Sequence, residues 1–231
     1  ATGLESESNA MRAEIERLRL GLERAQSATG IFPPGHFYSP IPPQDALENS
    51  EAADVTAASA RTIPEIDLNV TRQLQLLHEL RRFAPDLPFP ERQTPECRYY
   101  YENDFYSYTD AIFLYGMLRY ASPRRVIEIG SGYSSAVTLE TNDRFFEGRI
   151  RCVFIEPYED RLRRLIHPDD ENSVEIVERP VQDVDLEVFA ALEAGDILFI
   201  DSSHVVKYGS DLNHIFRNVL PVVAAGVYIH F

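Results

Sequence analysis

Short, unbroken apolar runs alternate with amphipathic stretches through the C-terminal half of the chain. The runs lie at 125–129, 151–156, 174–177, 196–201 and 226–230, rich in Val, Ile, Phe and Tyr. Runs of this length and composition, apolar at consecutive positions, predict strands covered on both faces. Between them the apolar positions recur at helical spacing over 134–146, 158–166, 186–193 and 210–219. Strand and helix alternate without interruption, which predicts an α/β domain: a doubly wound, mostly parallel sheet with helices on both faces.

Upstream the pattern changes. Met11, Ile15, Leu18, Leu22 and Ala25 recur at spacings of four and three, an apolar seam flanked by Glu and Arg. Such a seam either pairs two chains as a homodimer or packs one helix on its own domain. Ser8-Asn9-Ala10 ahead of Met11 resembles an expression-tag remnant, so residues 1–10 are set apart from the fold. Glycine and proline crowd residues 30–43 and predict an extended segment at 31–40. Its rings, His36 and Tyr38 among them, either cover a ligand cleft or anchor the extension. Residues 44–61 read as a loose connector, and 68–83 as a helix stopped by Pro85, Pro88 and Pro90. A tyrosine-rich stretch at 99–108 precedes a further helix at 110–120. The division is therefore 1–10 tag remnant, 11–92 helical and proline-rich extension, and 93–231 domain.

Composition narrows the class. Of 231 residues, 44% are hydrophobic, enough for a core. The formal net charge of −15 disfavours nucleic acid, because phosphate binding requires a basic footprint. No apolar run approaches the roughly 20 residues that span a bilayer, so no membrane partner is expected. The two cysteines, Cys97 and Cys152, show no metal-ligand spacing, and Cys152 falls inside the second apolar run as a buried filler. A cytoplasmic protein is the expectation.

The chemistry concentrates where the first run breaks on glycine, in Glu128-Ile-Gly-Ser-Gly132. Gly130 and Gly132 permit positive φ and close approach of a ligand to backbone, and the N–H groups opening the next helix attract a carboxylate or phosphate. Glu128 would oppose a pyrophosphate and favour a ligand carrying an ammonium and a sulfonium, which points to S-adenosylmethionine over NAD. Glu156 ends the second run 26 residues after Gly130, placed to accept ribose hydroxyls. Gln182-Asp183 follows the third run and Asp201-Ser202-Ser203-His204 the fourth.

In these parts, over 99–231, the sequence resembles the class I S-adenosylmethionine-dependent methyltransferases, specifically small-molecule O-methyltransferase-like members. The resemblance implies a Rossmann-like sheet. It implies that Glu128, Gly130, Ser131 and Gly132 hold the methionine part of the cofactor, Glu156 the ribose, and Gln182 and Asp183 the adenine side. Asp201, Ser202 and His204 would face the transferred methyl, with Tyr101, Asn103 and Tyr106 in a lid. His204 is the candidate general base, at the sheet edge where ligands of open α/β folds collect, and imidazole is the side chain that ordinarily titrates near neutrality. A divalent ion such as magnesium, as some relatives use, would be held by Asp201 with His204 or His230; otherwise Asp201 caps a helix near 202–207. The family's seven-stranded sheet implies that this chain, ending at Phe231, is truncated after the fifth strand. The expected activity is methyl transfer to a small-molecule acceptor, at a hydroxyl oxygen. A noncatalytic module keeping the glycine turn for cofactor or partner binding, and an NAD-dependent oxidoreductase, are the alternatives. A bulky residue at Gly130 is expected to block the ligand and leave the sheet standing.

Overall fold

All five apolar runs form strands: β1 Arg125–Ile129, β2 Arg151–Ile155, β3 Val174–Val177, β4 Ile197–Ile200 and β5 Tyr228–His230. They are seen in a computed structural model that describes residues 15, 19, 32–43 and 69–231. Every pairing is parallel, in the order β3-β2-β1-β4-β5. The chain moves outward from β1 to β3 and then returns to lay β4 on the other side of β1. That reversal between β1 and β4 marks the crevice position at the C-terminal sheet edge where doubly wound folds bind ligands.

Six α-helices lie within residues 69–231: α1 Val70–Leu80, α2 Tyr108–Ala121, α3 Tyr133–Phe146, α4 Asp160–Arg163, α5 Leu186–Ala190 and α6 Asp211–His214, the last continuing as a wider π-turn over Ile215–Val219. Side chains alternate along β1, so successive residues feed opposite layers. Val126 joins Leu114 and Leu118 of α2, Val137 of α3, Phe154 and Phe199. Ile127 and Ile129 join Phe189, Leu212, Ile215 and Val219 on the other face. The same alternation turns Glu128 towards α3, where Ser134 and Ser135 meet it.

Helix lengths depart from expectation where burial runs out. α4 covers four residues of the expected 158–166, and Leu162 is the one it buries. α5 stops at Ala190, three residues before the expected end, ahead of Gly195, whose φ of +94° suits only glycine. α1 buries Leu80 alone and leaves Val70, Leu74 and Leu77 at least half exposed. The segment expected to be extended at 31–40 is instead coiled: His36 N–H donates to Pro33 O, Ser39 N–H to His36 O, and Gly35 N–H to Ile41 O, at 2.9–3.0 Å. Gly35 at φ +88° makes this reversal affordable where the prolines fix their own φ. Residues 202–207 contain no helix for Asp201 to cap, and Ser210 caps α6 instead by accepting from Asn213 N–H. Of the N-terminal seam, Ile15 and Arg19 are helical and Ile15 is exposed; Met11, Leu18, Leu22 and Ala25, like the connector at 44–61, lie outside the described residues.

The tyrosine-rich stretch is tied down by charge as well as by rings. Arg98, 3% exposed, donates to Asp170 at 2.6 Å and to Asp143, and lies 3.5 Å from Glu140. Both cysteines are free and buried, Cys152 at 1% exposure. Among the described residues no helix is long and apolar enough to cross a membrane.

Candidate active site at the C-terminal edge of the sheet

The turn after β1 is closed by backbone on both sides. Gly130 N–H donates to Ile155 O and Asp201 N–H to Ile129 O, each at 2.9 Å, so the β2 and β4 loops are fastened to the glycine turn. Gly130 adopts φ +82°, and a Cβ there would overlap the Asp201 carbonyl oxygen and come within 2.8 Å of Ser202 Cα. The glycine is required for loop against loop, not only for ligand against loop. This corrects the expectation for a bulky residue at Gly130: the substitution strikes the β4 loop itself. Gly132 is different. Its φ of 171° is ordinary extended backbone, and its missing side chain leaves room for Arg161, whose Cδ would lie 3.3 Å from an added Cβ.

Glu128 is fully buried at the base of the turn. One carboxylate oxygen accepts from Ser134 Oγ at 2.6 Å and Ser135 Oγ at 2.9 Å, while the other, Oε2, has no partner. Burial pushes its pKa well above the usual carboxylate range; the serine hydroxyls pull it back, and the nearby Asp201 and Glu156 push it further up. Glu156 accepts from Ser131 N–H at 3.0 Å and from Tyr158 N–H at 2.9 Å, one through each oxygen. An ionised carboxylate has about four lone-pair sites, so acceptor capacity remains for two hydroxyls. Ser131, 9% exposed, holds an Oγ without a partner.

Across the crevice Asp201 Oδ1 lies 3.5 Å from His204 Nε2, with the imidazole about half exposed. Burial raises the Asp201 pKa, opposed by Ser134 and by His204. His204 has φ +53°, a left-handed conformation that a non-glycine residue holds only when its surroundings impose it. Tyr106 forms a wall: 7% exposed, its ring 6.1 Å from that of Phe199, its hydroxyl donating to Asp110 O at 3.2 Å. Burial, with Asp201 and Glu128 nearby, raises that hydroxyl's pKa far out of reach. His230 packs edge-on against Phe199 at 5.0 Å, and burial lowers its pKa.

The lid candidates separate. Tyr106 lines the crevice, whereas Tyr101 is buried beneath, stacked on Tyr108 at 4.9 Å, and burial pushes its hydroxyl to about 12. Asn103 is committed to its own loop: its amide nitrogen donates to Tyr100 O and Tyr106 O, and its oxygen accepts from Phe105 and Tyr106 N–H. Both therefore shape the loop that carries Tyr106. Gln182 donates to Gly209 O at 3.2 Å and links the β3 and β4 loops; Asp183 is exposed beside it.

The proline-aromatic segment reaches this edge. Lys207 Nζ, in the β4 loop, donates to His36 O at 2.7 Å and Ser39 O at 2.6 Å. The Phe37 ring lies 6.0 Å from that of Tyr158 in the β2 loop. Residues 32–43 thus form a strap that touches both the β2 and β4 loops, and His36, stacked between Phe32 and Phe37, is carried on it with Tyr38. Lys207, Arg161 and the two serines of α3 had no signature in the sequence; only the repeated serine after the glycines hinted at Glu128's partners. Among the described residues no group of three or more His, Cys, Asp or Glu is gathered as for a metal ion. A cavity of about 330 Å³ among Arg125, Arg151, Ser173 and Ala191 lies at the opposite end of the strands.

Comparison with known proteins gives this geometry a family. Residues 127–231 match the family model described as a methyltransferase domain. An uncharacterized protein of Archaeoglobus fulgidus is 38% identical over 170 residues, covering 71% of this chain and 74% of its own. Two solved structures are also similar. The S-adenosylhomocysteine-bound methyltransferase PaMTH1 of Podospora anserina is 17% identical, with a TM-score of 0.37 over 78% of this chain and 69% of that one. The O-methyltransferase TomG of Streptomyces achromogenes, involved in tomaymycin synthesis and solved with S-adenosylmethionine, is 21% identical, with a TM-score of 0.37 over 77% and 70%. The family match starts within the strand that carries the glycine turn, where the carboxylates Glu128 and Glu156 converge, and residues 127–231 belong to the methyltransferase-domain family.

Proposed function

We propose that the chain transfers a methyl group from S-adenosylmethionine to a hydroxyl oxygen of a small-molecule acceptor, with His204 as general base. The observation that carries the reading is the convergence of Glu128, Glu156 and Asp201 on one glycine turn, with His204 beside them. The residues suit the cofactor. Glu128 Oε2 and Ser131 Oγ are enclosed polar atoms without protein partners, the condition that a bound polar ligand relieves. The carboxylates favour a cation and disfavour a pyrophosphate.

When bound, the cofactor supplies an electrophilic methyl on a sulfonium sulfur. The chain's own part is alignment, exclusion of water and removal of one proton. Glu128, Ser131 and the glycine turn would hold the amino-acid end, Glu156 the ribose hydroxyls, and Gln182 with Asp183 would border the base. Tyr106, buried and uncharged, provides a wall. The strap at 32–43, held by Lys207, would bring His36 and Tyr38 towards an incoming acceptor. Asp201 at 3.5 Å biases the orientation of His204, whose Nε2 would take the acceptor proton. In a metal-assisted variant Asp201, with His204 or His230, would be the residues to hold magnesium, which would polarise the acceptor oxygen.

Methyl-labelled S-adenosylmethionine offered with a panel of phenolic and aliphatic hydroxyl acceptors tests the proposal. His204→Ala should lower turnover about a hundredfold or more while S-adenosylhomocysteine affinity stays within about twofold, and a chelator should have no effect. Activity lost in chelator and restored by magnesium would replace the base reading with metal assistance through Asp201. No labelled product from any hydroxyl, with label on nitrogen or sulfur acceptors, would overturn the choice of oxygen.

A further inference from the structure

Arg161 stands at the mouth of the glycine turn with no acid to pair with. Its neighbour Arg163 is paired, to Glu159 at 3.0 Å and Glu178 at 3.6 Å. Among the described residues no carboxylate reaches Arg161 in a chain with 37 acids against 22 lysines and arginines. Its guanidinium instead lies over the Phe105 ring, with Cζ 3.7 Å from the centroid. Phe105 stacks on Tyr133 at 5.9 Å, and the Tyr133 hydroxyl meets that of Tyr100 at 3.1 Å. The stem runs past Gly132, the position whose missing side chain makes room for it. A planar cation is thus propped on an aromatic floor with its fork of N–H donors uncommitted.

What lies beside it identifies the ligand chemistry. Ser131 Oγ, in a residue 9% exposed, and Glu128 Oε2, fully buried, are both unpartnered within the same turn. Together with Arg161 they offer a cationic fork, a hydroxyl and a carboxylate, the complement of an amino-acid zwitterion. We infer that Arg161 binds the α-carboxylate of the cofactor's amino-acid end. The inference rests on the S-adenosylmethionine reading above and adds a residue that no sequence motif marks. Guanidinium matches carboxylate through two parallel hydrogen bonds. Its support on Phe105 also reduces the freedom lost on binding. Gly132 then has a reason independent of backbone conformation: a side chain there would push Arg161 off the turn.

Two ligands and two variants test it by calorimetry. S-Adenosylhomocysteine carries the carboxylate; 5′-methylthioadenosine keeps the adenosine and thioether and lacks the amino acid. Arg161→Met should weaken S-adenosylhomocysteine about tenfold to a hundredfold, as loss of a charge-assisted bond does. Affinity for 5′-methylthioadenosine should stay within about twofold, and Arg161→Lys should recover part of the loss. Equal weakening of both ligands would show that Arg161 only props the turn and overturns the inference, as would unchanged S-adenosylhomocysteine affinity. A wild-type chain that binds neither ligand overturns the cofactor reading itself, a result separable from any effect of Arg161.

Discussion

Replacing Gly130 with alanine should unfold the junction that the whole site is built on, and the cost follows from the geometry. A φ of +82° is a conformation in which an L residue costs about 1–2 kcal/mol. The added Cβ would also come within 2.7 Å of the Asp201 carbonyl carbon and 2.8 Å of Ser202 Cα, both main-chain atoms that cannot swing aside. Relief requires the β4 loop to move, which breaks the Gly130–Ile155 and Asp201–Ile129 hydrogen bonds of 2.9 Å, each contributing about 0.5–1.5 kcal/mol net. Gly130→Ala should therefore lose about 2–5 kcal/mol, a large part of the roughly 5–15 kcal/mol that holds a domain together. Gly132→Ala is the control, because its φ is ordinary and the Cβ meets only the flexible end of Arg161 at 3.3 Å. Urea denaturation of both variants reads the difference directly. Gly130→Ala denaturing within about 0.5 kcal/mol of wild type, or at the same midpoint as Gly132→Ala, would refute the reasoning.

Further outcomes follow from the buried charges and the strap. Glu128 has a folded pKa raised by burial, so its contribution to stability is fully present below the ordinary carboxylate range and is lost as pH rises through the raised value. A cationic ligand favours the ionised form, so binding should release a proton and weaken as pH falls; calorimetry in buffers of different ionisation enthalpy should show that release, and Glu128→Gln should abolish it. Lys207→Met keeps the stem but removes the donors to His36 O and Ser39 O, and hydrogen exchange in residues 32–43 should accelerate about tenfold or more, whereas unchanged protection would mean that ring packing alone holds the strap. Arg98→Met strands Asp170 and Glu140 without their buried cation and should cost about 3–5 kcal/mol, a fall in Tm of roughly 10 °C by scanning calorimetry.

The sheet was legible because its strands are apolar on both faces and bounded by glycine, proline and acids, a signal that burial reinforces. Arg125–Ile129 and Val174–Val177 fall where their runs predict. Short helices were less legible: α4 and α5 end where buried contacts end, and propensity over 158–166 carries no information about that. The acids of the site could be picked out because Glu156 and Asp201 each end a strand run and Glu128 stands two residues before the first glycine of the turn. Their partners could not. Arg161 acts across 29 residues from Gly132, and Lys207 meets His36 across 171; contacts of that reach are set by topology, which no local pattern encodes. Asn103 and Tyr101 show the converse case. Asn103, expected in a lid, is satisfied by backbone amides and carbonyls of its own loop, and the Tyr101 ring is buried against Tyr108.

The most direct test is a calorimetric titration of the chain with S-adenosylhomocysteine and, separately, with NAD. Saturable one-to-one binding of S-adenosylhomocysteine, lost in Gly130→Ala and absent for NAD, is the result this account predicts. Binding of NAD with the greater affinity would contradict it, because a pyrophosphate would then be resting against the carboxylates of Glu128 and Glu156 at the turn.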